Sequence, residues 1–155
     1  MANEIATAGI SVSYCLETVA GTFPSSGTWT NIPNVKGIGE MNPEPATYDA
    51  TDLSDTVWKR YIQALRDMGG NIPLTVNFNG AFKTAWGNLC SAAHNSTTGL
   101  PAGYRTWFKF TVPTISDKFY VAGDPADVGF PAADTDQIWE GTVYVTPLEI
   151  KGWAA

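Results

Sequence analysis

Glycine and proline punctuate this chain so regularly that it is cut into short pieces: 15 Gly and 10 Pro are spread over 155 residues. Short apolar runs bounded by such residues are the pattern of a mostly β domain. Ile10–Leu16 alternates, with Ile10, Val12, Tyr14 and Leu16 on one side and Ser11, Ser13 and Cys15 on the other. Such alternation marks a half-buried strand. Leu74–Phe78 repeats the pattern, with Leu74, Val76 and Phe78 inward, and Arg105–Val112 does so with Phe108, Phe110 and Val112. Shorter strands are expected at Thr28–Ile32, Val35–Met41, Ala46–Ala50 and Phe119–Ala122. Gln137–Thr146 reads as a long strand with Trp139, Val143 and Val145 on its core face. Thr18–Ser26 and Gly123–Thr135 read as loops.

One segment has helical period. Phe82, Ala85, Trp86, Leu89, Cys90 and Ala93 recur at steps of three and four, so Ala81–Ala93 is expected to be a helix, with Asn79 as its N-cap. Ser54–Met68 fits two descriptions. Val57, Trp58, Tyr61, Ile62, Leu65 and Met68 fit a helical stripe, whereas Lys59–Gln63 is also rich in β-formers. The expected architecture is mainly β. It is a two-sheet β-sandwich or partly closed barrel with one flanking helix over about 81–93, in a single domain.

The chemistry of the side chains excludes more than it selects. Only 15 % of residues are charged, against roughly 25 % in an ordinary globular domain. Six Trp, seven Phe and six Tyr accompany them, as in a subunit whose surface lies against neighbours, or in a dry, Trp-rich binding module. The net charge of −6 opposes tight binding along a nucleic-acid backbone. Residues 1–56 carry −6, residues 57–118 carry +5 and residues 119–155 carry −5. No apolar run approaches the roughly 18–20 residues of a membrane span, and Met1–Gly9 lacks the features of a signal peptide. The chain is therefore expected to be made in the cytoplasm, without a membrane partner.

No catalytic device and no cofactor site is readable. Cys15 and Cys90 form no CxxC and read as buried thiols. His94 is the single histidine and reads as a helix-end residue. Cys90 lies four residues before it, so the two can meet on a helix face, but no third orienting group is evident. Asp124, Asp127, Asp134 and Asp136 lack the order of a calcium loop and read as solvated turn residues. Neither a metal nor a catalytic residue is assigned.

Two phrases are more specific. Asp49, Thr51, Asp52 and Leu53 close a strand in the phrase Tyr48-Asp49-Ala50-Thr51-Asp52-Leu53, and Leu65, Asp67 and Gly69 form a second phrase after a variable arm. In this order, followed by a strand, a helix and further strands, they resemble the tail tube (major tail) proteins of long-tailed bacteriophages. That family is related in fold to the tube protein of type VI secretion. Ala64 stands where the family usually has glycine. The resemblance implies a structural subunit of the virion tail, not an enzyme. Copies would form homohexameric rings, joining strands between subunits, and the rings would stack into a hollow tube. Tape-measure, tail-tip and terminator proteins would be partners, and double-stranded DNA would pass through without tight binding. Some members add a C-terminal immunoglobulin-like domain; here 1–155 reads as the tail-tube domain alone, with a last strand ending near Gly152.

The resemblance makes Asp49–Gly70 an arm that contacts the neighbouring subunit or ring, through Asp49, Thr51, Asp52, Leu53, Trp58, Lys59, Arg60, Tyr61 and Arg66. Lys59, Arg60 and Arg66 would face acidic loops such as Asp124–Asp136 of the next subunit. Glu40, Glu44 and Glu140 are the candidates for an acidic lumen that repels DNA. Three alternatives remain: another tail component such as a tail-completion protein; a carbohydrate-binding or adhesion module displaying Trp58, Trp107 or Trp153; and a small hydrolase using Cys90 and His94 or paired carboxylates.

Overall fold

The computed structural model describes residues 9–42, 44–67, 70–94 and 103–155, with the backbone alone at 44 and 64–67. The expectations placed on Met1–Ala8, Pro43, Met68, Gly69 and Asn95–Thr97 lie outside these residues, as do the side chains of Glu44, Leu65 and Arg66. In chain order the elements are β1 (Ser11–Leu16), β2 (Thr30–Ile32), β3 (Val35–Ile38), β4 (Glu44–Asp49), β5 (Tyr61–Asp67) and β6 (Ile72–Asn77). Then come α1 (Gly80–His94), β7 (Thr106–Thr111), β8 (Lys118–Pro125) and β9 (Glu140–Ala154). Seven strands form one sheet in the order β2-β1-β7-β8-β9-β6-β3, and β4 and β5 form a separate pair. Every pairing is antiparallel. The fold is thus mainly β with one helix, as expected.

The edges of the large sheet constrain its shape. β2 and β3 are the two edge strands, six steps apart in the sheet, yet only Pro33 and Asn34 separate them in sequence. A flat sheet would hold its edges roughly 29 Å apart at about 4.8 Å per strand. Three Cα–Cα steps span at most about 11 Å. The sheet must therefore roll until its edges approach, with Asn34 at φ 63° making the tight link. The roll is not closed by hydrogen bonds, because β2 and β3 do not pair with each other.

Inside the roll lies the main core. Val12, Phe108, Phe110, Val121, Leu74, Val76, Val143 and Val145 from the strands meet Phe82, Trp86, Leu89 and Cys90 from α1. These four are the helix's buried residues, at the spacing expected of an apolar stripe. Each such large side chain contributes about 1.5–3 kcal/mol when fully removed from water. The N-cap is also as expected, since the Asn79 side-chain oxygen accepts the Phe82 amide at 3.0 Å and the Asn34 amide group at 3.0 Å. Asn79→Ala is expected to cost about 1 kcal/mol, measurable by urea denaturation, because it removes both bonds.

A second cluster covers the outer face of β7 and β8. Trp107, Tyr120 and Ala122 are buried beneath Phe23 and Trp29. Phe23 meets the Trp107 ring edge-on at 5.1 Å and Tyr120 at 4.8 Å. The 18–29 loop can lie this close because Gly27 has no side chain: a Cβ there would sit 2.4 Å from Cys15 Sγ.

Strand boundaries shift by a few residues from the sequence reading, β3 ending at Ile38 and β4 running Glu44–Asp49, and the largest differences are in the last two strands. β8 continues through Gly123–Pro125, which had read as loop, and β9 continues past Thr146 to Ala154. Pro147 and Gly152 look like breaks, but register shifts absorb both. One lies between Ala122 and Gly123 opposite Pro147, and the other between Tyr120 and Val121 opposite Gly152, which has φ 84°. A bulge frees a strand proline from ladder duty and gives a left-handed residue its place. Trp139 lies just before β9 rather than in it, packed on Phe78 at 4.6 Å.

Candidate functional site

The β4–β5 pair stands apart from the large sheet and carries most of the residues expected at an interface. Ser54–Asp67 is not helical: 54–60 is the loop at the arm's tip, and β5 follows. Tyr48, Leu53, Val57, Trp58, Tyr61 and Ile62 are all large, apolar and exposed, Trp58 at 82 %. Tyr48 and Ile62 are cross-strand partners on one face of the pair, and Tyr61 points to the other; so many exposed large apolar side chains on one small element are the mark of an interaction surface.

The tip is nonetheless ordered by polar contacts. Asp49 Oδ1 accepts the Thr51 amide at 2.9 Å, and Asp52 Oδ1 accepts the Ser54 amide at 2.8 Å and its hydroxyl. Arg60 ties the loop together, donating from Nε to Asp55 Oδ2 at 3.0 Å and from Nη2 to Asp52 Oδ2 at 2.7 Å. The Arg60 amide donates to Thr51 Oγ1 at 2.9 Å. Arg60 is thus engaged within its own arm, while Lys59 is exposed and has no ion pair among the described residues. Asp52 is held below the usual carboxylate range by the Ser54 hydroxyl and amide first, and by Arg60 after them. Its carboxyl carbon is expected to titrate by NMR below about 3.9, and Ser54→Ala should move the midpoint up.

Of the three acidic candidates, Glu140 alone lies on a strand of the large sheet. Glu140 opens β9 opposite Asn77, on the exposed side that continues as Thr142, Tyr144 and Thr146. The expected alternation is thus present, but Glu140 is neutralised by Lys36 of β3, Nζ to Oε1 at 2.5 Å. Glu40 follows β3, exposed, and accepts the Asn42 side-chain amide at 2.8 Å. Glu44 begins β4. A further apolar group lies near the last strand: Phe130, Ile138, Leu148 and Trp153 are exposed.

Sequence reasoning missed Glu17. It is 3 % exposed and carries four bonds. Its carboxylate accepts Trp107 Nε1 at 2.7 Å, Arg105 Nε at 2.9 Å, the Gly21 amide at 2.9 Å and the Arg105 amide at 3.0 Å. Arg105 reaches on to Glu149 of β9. Burial pushes the Glu17 carboxyl up, but the bonds from Trp107, Arg105 and Gly21 together hold it below its ordinary value. These pairs join the first acidic block to the basic one and the basic block to the last. Part of the charge segregation is therefore consumed within the subunit.

The alternatives fare unevenly. Trp107 is 2 % exposed and unavailable as a sugar platform, whereas Trp58 and Trp153 are exposed. A thiol nucleophile needs a lowered pKa. Burial first, and the Asp127 charge next, push the Cys90 thiol up to about 12. No helix among the described residues is long and apolar enough to cross a membrane.

No family model and no curated protein matches the sequence. Solved structures match the fold over its full extent. The tube-terminating cap of the anti-feeding prophage superposes with a TM-score of 0.60 at 12 % identity, covering 100 % of this chain and 94 % of that one. A chain of the six-fold symmetrised anti-feeding prophage baseplate superposes with a TM-score of 0.55 at 9 % identity, covering 98 % and 97 %.

Proposed function

We propose that the chain is a structural subunit of a phage-type tail, assembling with copies of itself into hexameric rings that stack as a tube. The observation that carries this reading is the β4–β5 arm, an ordered two-strand projection bearing large apolar side chains that its own subunit leaves exposed. The open roll adds to it: two short edges, β2 and β3, each without a second strand partner among the described residues, are templates for strands of a neighbour. The likeness in fold to a tube-terminating cap and a baseplate chain supports a tail role. In the ring, the arm packs on the next subunit through Leu53, Trp58 and Tyr61, and Lys59 supplies charge. Glu40, Glu44 and Glu140 sit on the channel side, where acidic groups keep passing DNA mobile.

A second reading, a terminating or completion component that closes a tube made by another protein, is favoured specifically by the likeness to the cap. Electron microscopy of the purified protein separates the two. Long six-fold tubes are expected for the tube subunit and isolated rings for the terminating component. A protein that stays monomeric at high concentration overturns both.

A further inference from the structure

Away from the arm, α1 and the segment after β8 bring together three side chains that bind metals in many proteins. Cys90 and His94 lie one helical turn apart on α1, and Asp127 comes from the loop that follows β8. One ligand atom from each lies within 4.8 Å of the other two. His94 is already oriented, because its Nε2 meets Asp124 Oδ1 at 2.6 Å. That leaves Nδ1 facing Asp127, 3.8 Å from its Oδ1. Cys90 is buried at the floor, beside the Ala126 carbonyl at 3.6 Å, while His94 and Asp127 are reached from solvent. The groove they line has a volume of about 480 Å³, with Trp86 and Val128 as apolar walls.

We propose that Cys90, His94 and Asp127 form a binding site for a zinc-type divalent cation, with Asp124 as the carboxylate that fixes the histidine. The donor set fits this chemistry. Thiolate, imidazole and carboxylate together suit zinc better than the all-oxygen ligation of calcium or magnesium. A tetrahedral zinc site with bonds of about 2.0–2.3 Å holds its ligand atoms roughly 3.3–3.8 Å apart. The His94–Asp127 pair at 3.8 Å is within about 0.5 Å of the spacing for a nitrogen and an oxygen ligand, and side-chain rotations that move the ligand atoms by about 1 Å close the rest. A carboxylate on the far nitrogen of a ligating histidine recurs at such sites because it fixes tautomer and ring orientation. The two aspartates are also the charges that a divalent cation compensates. Binding converts the Cys90 thiol to a thiolate and releases its proton to solvent, and water takes the fourth position in the open groove. The cation would staple the end of α1 to the end of β8, independently of whether subunits assemble.

Titration of the chelator-stripped full chain tests this. Zinc is expected to bind at one per chain and to raise Tm, and cobalt is expected to give a thiolate-to-metal charge-transfer band. Cys90→Ser should abolish that band, and His94→Gln and Asp127→Asn should weaken zinc binding by more than tenfold. Asp124→Asn should weaken it about 10- to 100-fold. Asp127 is exposed, so Asp127→Asn separates loss of binding from loss of folding. A cobalt complex without the thiolate band, zinc affinity unchanged by Asp127→Asn and His94→Gln, or no binding at one per chain overturns the assignment.

Discussion

Glu17→Ala is expected to cost about 3–5 kcal/mol of folding stability, the range for breaking a buried ion pair by removing one partner. In a chain of this size that is a fall in Tm of about 10 °C. The cost is this large because one carboxylate serves four donors. Its loss strands the Trp107 indole N–H and leaves the partly buried Arg105 with Glu149 alone. The same group makes stability fall in acid. Its folded pKa lies below its unfolded value of about 4.3, so its contribution is complete above that value. It is lost as pH falls through the lower folded pKa. Urea denaturation of wild type and Glu17→Ala at pH 7 and at successively lower pH checks both claims. The gap between the two proteins should shrink as pH falls below the unfolded value. A gap that stays constant would mean Glu17 acts by packing alone.

The arm should show the opposite separation, with stability kept and assembly lost. Trp58→Asp combined with Ile62→Asp changes two exposed side chains, so the free subunit should unfold within about 0.5 kcal/mol per site of wild type. If the arm is the interface, each change forfeits about 1.5–3 kcal/mol of apolar burial. Together that is a loss of about two to four orders of magnitude in association. Deleting Ser54–Arg66 should act the same way, giving a folded monomer that forms no rings. Hydrogen exchange offers an independent check, since arm amides should exchange faster than those of Ile72–Asn77 in the monomer and become protected on assembly. Sedimentation that shows wild-type assembly by the double variant would exclude the arm from the interface.

What could be read from the residues depended on how local the cause was. The helix was legible because its apolar spacing and its Asn79 cap both lie within one short segment. The strand character of Tyr61–Asp67 ran against periodicity, which favoured a helix through the stripe of Val57, Trp58, Tyr61, Ile62 and Leu65; it was the resemblance in the phrases around it that favoured an extended arm. The alternation carried β9 only to Thr146, because Pro147 is a local stop signal, while the resemblance carried the last strand to near Gly152. The bulges that accommodate them depend on β8, which pairs with β9 at more than twenty residues' separation. Glu17 was invisible for the same reason: its partners are Arg105 and Trp107, about ninety positions away. The cluster at Cys90 was half legible. The one-turn spacing to His94 was in the sequence, while Asp124 and Asp127 read as turn residues until β8 carried them to the helix.

The pairing of β1 with β7 sets a timetable for the nascent chain. Ser11 registers with Thr111 and Leu16 with Thr106, so the first strand has no sheet partner on its inner side until the ribosome has made some hundred residues. At about 5–20 residues per second that is a wait of roughly 5–20 s. β2 can pair with β1 meanwhile, through Val12–Ile32 and its neighbours, but a three-residue partner is a weak shelter. Sheets that depend on such distant contacts also close slowly once the chain is complete. Val12, Tyr14 and Cys15 thus spend their first seconds as an unsheltered strand beside other growing copies of the same chain. Expression yield should therefore respond more to chaperone supply and synthesis rate than the stability of the finished subunit would indicate.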